Sequence, residues 1–334
     1  RKKWLMGMNL FFVGDWLPSR VPVITWGGPM VGNLECVLSD NDIASGKAYT
    51  SILPMECVEN VVRSGMTALS HGNNHVYDAG PEAFIDMKDK LAATCQEIQF
   101  FGTVDKPYAT LEAEGKKVAV IGALEKCRSR GSLIFKEEDV EKLIQDIGGK
   151  FDVVYVYPHW GKEGEYTRWP SPRQRRLARR WIDSGADGIF GSHSHVFQGR
   201  ELYKGKPIYY SLGNFYFPHP KSKLYEGTDV GLCVEIAHGN VSERFVRKGV
   251  QIDDAAEIKQ LKDVLESISA PLRTWTTWRW ARAVGPFNLK KNTASWKIRL
   301  RKNFVKTLPK FLVWQILPKT LLFRIANICQ QSKR

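Results

Sequence analysis

The chain has 334 residues, 43% of them apolar and 25% charged, which is enough for one large α/β domain with an appendage or for two domains, and excludes a disordered polypeptide. Its net charge of +14 is unevenly spread: Pro271 to Arg334 carries 15 Lys and Arg with no Asp or Glu, leaving 34 basic against 35 acidic side chains over residues 1–270. The excess positive charge belongs to the tail, so nothing in the body calls for a polyanion partner.

Arg1 to Met8 contains no apolar segment long enough for a signal peptide or a membrane span. No initiator Met stands first, which fits an upstream segment before Arg1 and equally a start at Met6 or Met8. Leu10-Phe11-Phe12-Val13 reads as a buried strand running into Gly14-Asp15, and Met30-Val31 leads to Gly32-Asn33-Leu34-Glu35. Pro54 to Val62 carries apolar residues at helical spacing. Thr67-Ala68-Leu69-Ser70 is a strand leading to Asn73-Asn74-His75, and Phe84 to Leu91 is again helical. Lys116 to Gly122 has a buried-strand pattern, Glu137 to Ile147 is helical, and Phe151 to Tyr157 runs into Pro158-His159-Trp160. Arg173 to Asp183 is a helix with Leu177, Trp181 and Ile182 inward and a row of arginines outward. Asp187 to Phe190 leads to Gly191-Ser192-His193-Ser194-His195. Pro207 to Ser211 and Val230 to Ile236 are further strands, and Ala255 to Ile268 is a helix with Ile258, Leu261, Val264 and Leu265 on one face.

This alternation of strand and helix predicts a largely parallel sheet with crossover helices. Five strands end on residues that can hold a metal, and open α/β sheets place ligands beyond the carboxyl ends of their strands. Two divalent ions side by side can hold an oxyanion and stabilise a leaving oxygen. A bridging carboxylate keeps them in register, and Glu35 is the candidate; neutral imidazoles and an amide oxygen complete the donor set without excess negative charge. His193 and His195, read as an extended segment, project to the same face. Taken singly, His159 fits a core histidine beside Trp160, Asp15 a turn residue, and Asn73-Asn74-His75 a loop; the five together favour a site. The six cysteines are scattered without CxxC or finger spacing, which favours a reducing compartment.

Six ordered blocks carry a family resemblance: Gly14-Asp15 with Arg20, Asn33-Leu34-Glu35, Asn73-Asn74-His75 with Asp78 and Gly80, His159-Trp160-Gly161 with Glu163 or Glu165, Gly191 to Val196 with Gln198, and Tyr210 to Phe215. Over roughly residues 9–236 the chain resembles the poly-γ-glutamate capsule synthesis family, CapA (PgsA), itself similar to the calcineurin-like metallophosphoesterases. The resemblance implies a four-layer αββα sandwich with the site at the strand ends. It implies that Asp15, Glu35 and His195 hold one ion and that Glu35, Asn74, His159 and His193 hold the other, as Mn²⁺, Fe²⁺ or Zn²⁺, one or two ions in all. His75 would be the general acid, oriented by Asp78, and Arg20 an anion clamp. Two positions depart from the phosphoesterase pattern: Asp15-Trp16-Leu17 stands where that pattern has Asp-x-His, and Glu35 where it has a bridging Asp. CapA proteins share both departures.

The implied function is a metal-dependent hydrolase in capsule or cell-envelope polymer synthesis. The alternatives are a non-catalytic, metal-holding accessory subunit of a polymer synthase and an intracellular nucleotide or nucleic-acid phosphoesterase. The domain is expected over residues 8–270, with a basic, Trp-rich helical extension over 271–334. In that extension Pro309 and Pro318 can each open a short amphipathic helix, suited to lie on an anionic membrane surface. The expected location is therefore peripheral, on the cytoplasmic side of a bacterial membrane. Packing on the domain, docking of a partner and nucleic-acid binding are the other readings of the tail, the last without any accompanying nucleic-acid-binding fold signature.

Overall fold

Strand β1 (Leu10–Trp16) sets the architecture through its alternation. Leu10 and Phe12 face one hydrophobic core while Phe11 and Val13 face another, and all four are buried. A strand apolar on both faces needs a covering layer on each side. The structure, a computed structural model, describes residues 9–24, 26–41, 50–125, 133–161, 165–218 and 225–274. The expected tail helices, from 275 onward, lie outside these residues, as does Glu163.

After β1 come β2 (Met30–Leu34), β3 (Val37–Leu38), β4 (Ile52–Leu53), α1 (Val58–Val62), β5 (Ala68–Ser70), α2 (Pro81–Thr94), β6 (Gln99–Phe101), β7 (Tyr108–Ala113) and β8 (Lys116–Leu124). They are followed by α3 (Val140–Ile147), β9 (Val153–His159), α4 (Pro172–Asp183), β10 (Gly188–Phe190), β11 (Arg200–Tyr203), β12 (Lys206–Tyr209), β13 (Asn214–Tyr216), β14 (Val230–Ala237), β15 (Asn240–Arg247), β16 (Val250–Gln251) and α5 (Ala255–Ser269). One sheet has the order β16-β15-β14-β1-β2-β5-β6, with β13 also pairing β1; the other has the order β11-β12-β10-β9-β8-β7.

The expectation of one largely parallel sheet is corrected here. Each sheet has a parallel centre, β1-β2-β5-β6 in the first and β12-β10-β9-β8 in the second. Antiparallel strands flank both centres. The cause is local. The two-residue connections Glu114-Gly115, Lys204-Gly205, His238-Gly239 and Lys248-Gly249 all have both residues at positive φ, the backbone that matches hairpin twist.

The four layers follow from three cores. Val13, Leu69 and Met30 pack under Val58, Val61, Phe84 and Met87 of α1 and α2. Phe12, Val120, Tyr155, Tyr157 and Phe190 fill the space between the sheets, where the Phe12 and Phe190 rings stack with centroids 4.1 Å apart. Ile121, Val156 and Ile189 pack under Ile144 of α3 and Trp181 of α4. Helix α4 begins at a capping box: Ser171 Oγ accepts from the Gln174 amide and Gln174 Oε1 accepts from the Ser171 amide, with Pro172 in the first turn. The result is an αββα sandwich. The outward arginines of α4 are not a free cationic face, since Arg173 pairs with Glu125 and Glu137, Arg175 and Arg179 with Glu201, and Arg180 with Glu141. Leu272, beyond α5, is fully buried in the outer core of the second sheet.

Candidate metal centre

The parallel centres of the two sheets end at the same rim. Asp15 lies near the end of β1, Glu35 one residue past β2, Asn74 and His75 in the turn after β5, His159 at the end of β9, and His193 and His195 after β10. Gly14 permits the approach of β13, because a Cβ there would overlap the Gly213 carbonyl, to which the Asp15 amide donates at 3.0 Å.

Ligand-capable atoms gather in two groups, Asp15–Glu35–His195 and Glu35–His159–His193, with the atoms of each group within 4.8 Å of one another. Glu35 belongs to both. Its Oε1 lies 3.5 Å from His159 Nε2 and 3.8 Å from His195 Nε2. Asn74 Oδ1 is 2.6 Å from the same His159 Nε2, so the amide joins the second group.

Further contacts fix which atoms face inward. Asn214 Nδ2 donates to the Thr228 carbonyl, which turns Asn214 Oδ1 toward His195 Nδ1 at 2.9 Å. An amide oxygen only accepts, so Nδ1 carries the hydrogen and Nε2 presents its lone pair to the site. Asn33 Nδ2 donates to Asp15 Oδ1 at 2.8 Å, and Asn73 Nδ2 donates to Asn33 Oδ1 at 3.1 Å. The His193 amide donates to Asp15 Oδ2 at 3.0 Å, and Ser192 Oγ sits 3.0 Å from His159 Nδ1.

These groups fit a divalent cation. Glu35 is fully buried, and neither of its oxygens has a hydrogen-bond donor among the described residues. Burial first, and the Asp15 carboxylate second, push its pKa well above the usual carboxylate range. A cation would reverse both effects. Burial also lowers the pKa of His159 well below normal, helped by its neighbours His193 and His195, and holds His195 at about 4, so both imidazoles are neutral donors.

His75 and Asp78 meet as well: His75 Nδ1 lies 2.6 Å from Asp78 Oδ2, and Nε2 faces Glu35 Oε1 at 3.8 Å. Asp78 is held in turn by the Ser51 amide at 2.7 Å. Arg20 makes no contact with the cluster among the described hydrogen bonds and ion pairs, and is exposed beyond β1. Leu17, where the phosphoesterase pattern has an imidazole, is a buried member of the helix-side core.

The histidine pair arrives by a different route from the extended one expected. His193 has φ +94° and His195 φ +58°, so the segment is looped and the two rings meet the site through a left-handed backbone. Such a conformation is costly and persists where surrounding contacts enforce it. Sequence reasoning assigned no role to Asn33, Asn73, Ser192 or Asn214, although all four lie inside the quoted blocks and three of them close to ligands, a usable signal. Tyr166 was also missed. Its ring stacks on His195 at 5.2 Å, its φ is +66°, and its amide donates to the Ser194 carbonyl at 2.7 Å.

With this arrangement in view, the sequence matches the family described as bacterial capsule synthesis protein PGA_cap over residues 14–219. The chain belongs to that family. It is 35% identical over 180 residues to the capsule biosynthesis protein CapA of Bacillus anthracis, covering 48% of this chain and 43% of that one. It is 30% identical over 223 residues to the PGA biosynthesis protein CapA of Bacillus subtilis (strain 168), covering 63% and 57%. The PGA_cap chain thus spans about half the length of these curated relatives. The solved 5′-nucleotidase precursor from Thermus thermophilus aligns at 16% identity with a TM-score of 0.47, covering 77% of this chain and 58% of that one. At that score the likeness adds nothing to the architecture described above.

Proposed function

We propose that this PGA_cap protein is a metal-dependent hydrolase with a phosphoesterase-type site, acting in the synthesis of a capsule or cell-envelope polymer. The observation that carries the reading is the buried Glu35 carboxylate, shared by two ligand groups and lacking any hydrogen-bond donor among the described residues. Asp15, Glu35 and His195 would hold one divalent ion, and Glu35, Asn74, His159 and His193 a second. Such ions supply Lewis-acid stabilisation of a developing oxyanion.

The remaining work falls to the chain's own groups. Asp78 accepts from His75 Nδ1, which leaves Nε2 as the ring atom that gives or takes a proton at the site. Asn214 and Ser192 hold the imidazoles of His195 and His159 in orientation. The rings of Tyr166 and Phe217 both pack on that of His195, which is buried.

A second reading, an accessory subunit that holds metal without turnover, is favoured by the biosynthetic rather than hydrolytic roles printed for both curated relatives. His75→Ala separates the two. Under the hydrolase reading it retains the metal content of wild type and loses at least 100-fold in hydrolysis of phosphoesters or amide-linked polymers with Mn²⁺, Fe²⁺ or Zn²⁺. Wild type turning over at the no-enzyme rate with every metal and substrate class would leave only the accessory role. The double substitution Asp15→Ala, His193→Ala is expected to abolish metal uptake, and unchanged content would remove both readings.

A further inference from the structure

Among the described residues, one half-buried cation near this rim lies within salt-bridge distance of no acid. Among the described residues, the half-buried arginines Arg173, Arg175, Arg179, Arg200, Arg244 and Arg247 each lie within salt-bridge distance of an Asp or Glu. Arg168 is equally half-buried and has no such partner. Its guanidinium sits 4.3 Å from the centre of the Phe197 ring, and its one hydrogen bond is a 3.4 Å contact from Nη1 to the Phe197 carbonyl. Desolvation lowers its pKa, against a partial opposing pull from Asp229. A shielded guanidinium held this loosely is costly unless an anion completes it.

Its neighbourhood is built, and it leads back to the metal ligands. Arg168 follows Tyr166 by two residues, and Tyr166 stacks on His195. The turn that opens with Tyr225 runs alongside: Tyr225 stacks on Tyr166 at 4.1 Å, Gly227 lies against the Arg168 guanidinium, and the Thr228 carbonyl holds Asn214, which holds His195. Gly227 has φ +79°, and a Cβ there would collide with Arg168 Nη2. The glycine keeps that space for the guanidinium. The Arg168 carbonyl accepts from the Gly199 amide, which ties this segment to the far end of the loop that carries the two histidines, just before β11.

We propose that Arg168 is a recognition residue for an oxyanion of the substrate, a carboxylate or a phosphate, that lies beside the metal ligands rather than on them. The planar fork of donors suits either anion in bidentate fashion. A second anionic contact beside the metal ligands selects an acidic polymer or a multiply charged ester over a substrate with a single anionic group. The inference rests on the hydrolase reading for the word substrate, but the anion site itself exists with or without turnover.

The test therefore uses the full chain stripped of metal, so that failure of the metal reading and failure of this one stay apart. Phenylglyoxal modification mapped by mass spectrometry is expected to label Arg168 faster than the paired Arg175 and Arg179. Inorganic phosphate and penta-γ-glutamate are the two probes, and the one that protects Arg168 identifies the anion class. Calorimetric titration with the protecting probe should show Arg168→Gln binding at least tenfold more weakly than wild type, Arg168→Lys in between, and Arg176→Gln, on the exposed face of α4, unchanged. Arg168→Lys and the protection measurement keep the test open if Arg168→Gln does not fold. Equal affinity of wild type and both Arg168 variants, or no protection by either probe, would overturn the assignment.

Discussion

His71 shows how much one side chain can carry without taking part in chemistry. It is 1% exposed, stacks on Phe100 at 5.2 Å, meets Phe84 edge-on, and has no hydrogen bond to either ring nitrogen among the described residues. Burial, with a contribution from Lys88, lowers its pKa to about 3 from 6.5. The unfolded chain therefore takes up this proton first as the pH falls. The contribution to stability is full above pH 6.5 and is lost as the pH drops toward 3. At pH 5 the loss amounts to about 2 kcal/mol. His71→Phe suits the aromatic surroundings and should shrink the difference in unfolding free energy between pH 7.5 and pH 5 by about that much. Urea titrations of both proteins at both pH values check this, and equal acid sensitivity would count against it. The residue types of the ligand set were legible from sequence, since five strand ends each finish on Asp, Glu, Asn or His. The amides that orient them were not. Asn33 meets Asp15 across 18 positions and Asn73 meets Asn33 across 40, and no local pattern announces such contacts.

Elements were legible where both faces are buried. Strands β1, β8 and β9 read as continuous apolar runs because each is sandwiched between two cores. Strands β7, β11 and β15 alternate with polar and exposed positions at sheet margins, and went unread for that reason. Their signal lay instead in the X-Gly pairs between them. A glycine in one of those turns and a glycine capping a helix yield a pair of opposite outcomes. Gly239, with φ +75° in the hairpin joining β14 and β15, should cost about 1 kcal/mol as Gly239→Ala, because an L side chain is strained there. Gly148, with φ −53° and open space around its Cα, should gain about 0.5 kcal/mol as Gly148→Ala through a stiffer unfolded chain. Denaturant midpoints of both variants read the signs directly, and a shared sign would contradict the backbone account.

Along the whole sequence, charge and chemistry fall in different stretches. Residues 1–270 are close to neutral by sequence and four of the five α4 arginines pair with acids, while the basic surplus lies in residues 271–334. Among the described residues no helix is long and apolar enough to cross a membrane. We propose that the tail holds the protein on an anionic membrane surface, on the cytoplasmic side, where it can meet polymer synthase subunits. Full-length protein should co-sediment with anionic vesicles, far less at 1 M salt, where the screening length falls to about 3 Å. A version ending near residue 274 should stay in the supernatant, and identical sedimentation of the two would end this proposal.

The ligand groups draw Asp15, Glu35 and Asn74 from one sheet and His159, His193 and His195 from the other. A cation gripped by both is a rivet through the sandwich, fastening its halves at the rim where the looped histidine backbone is most strained. Raising the concentration of Mn²⁺ should then raise the melting temperature. Chelation should quicken amide exchange at the ends of β1 and β9 while leaving the hairpin of β14 and β15 as slow as before.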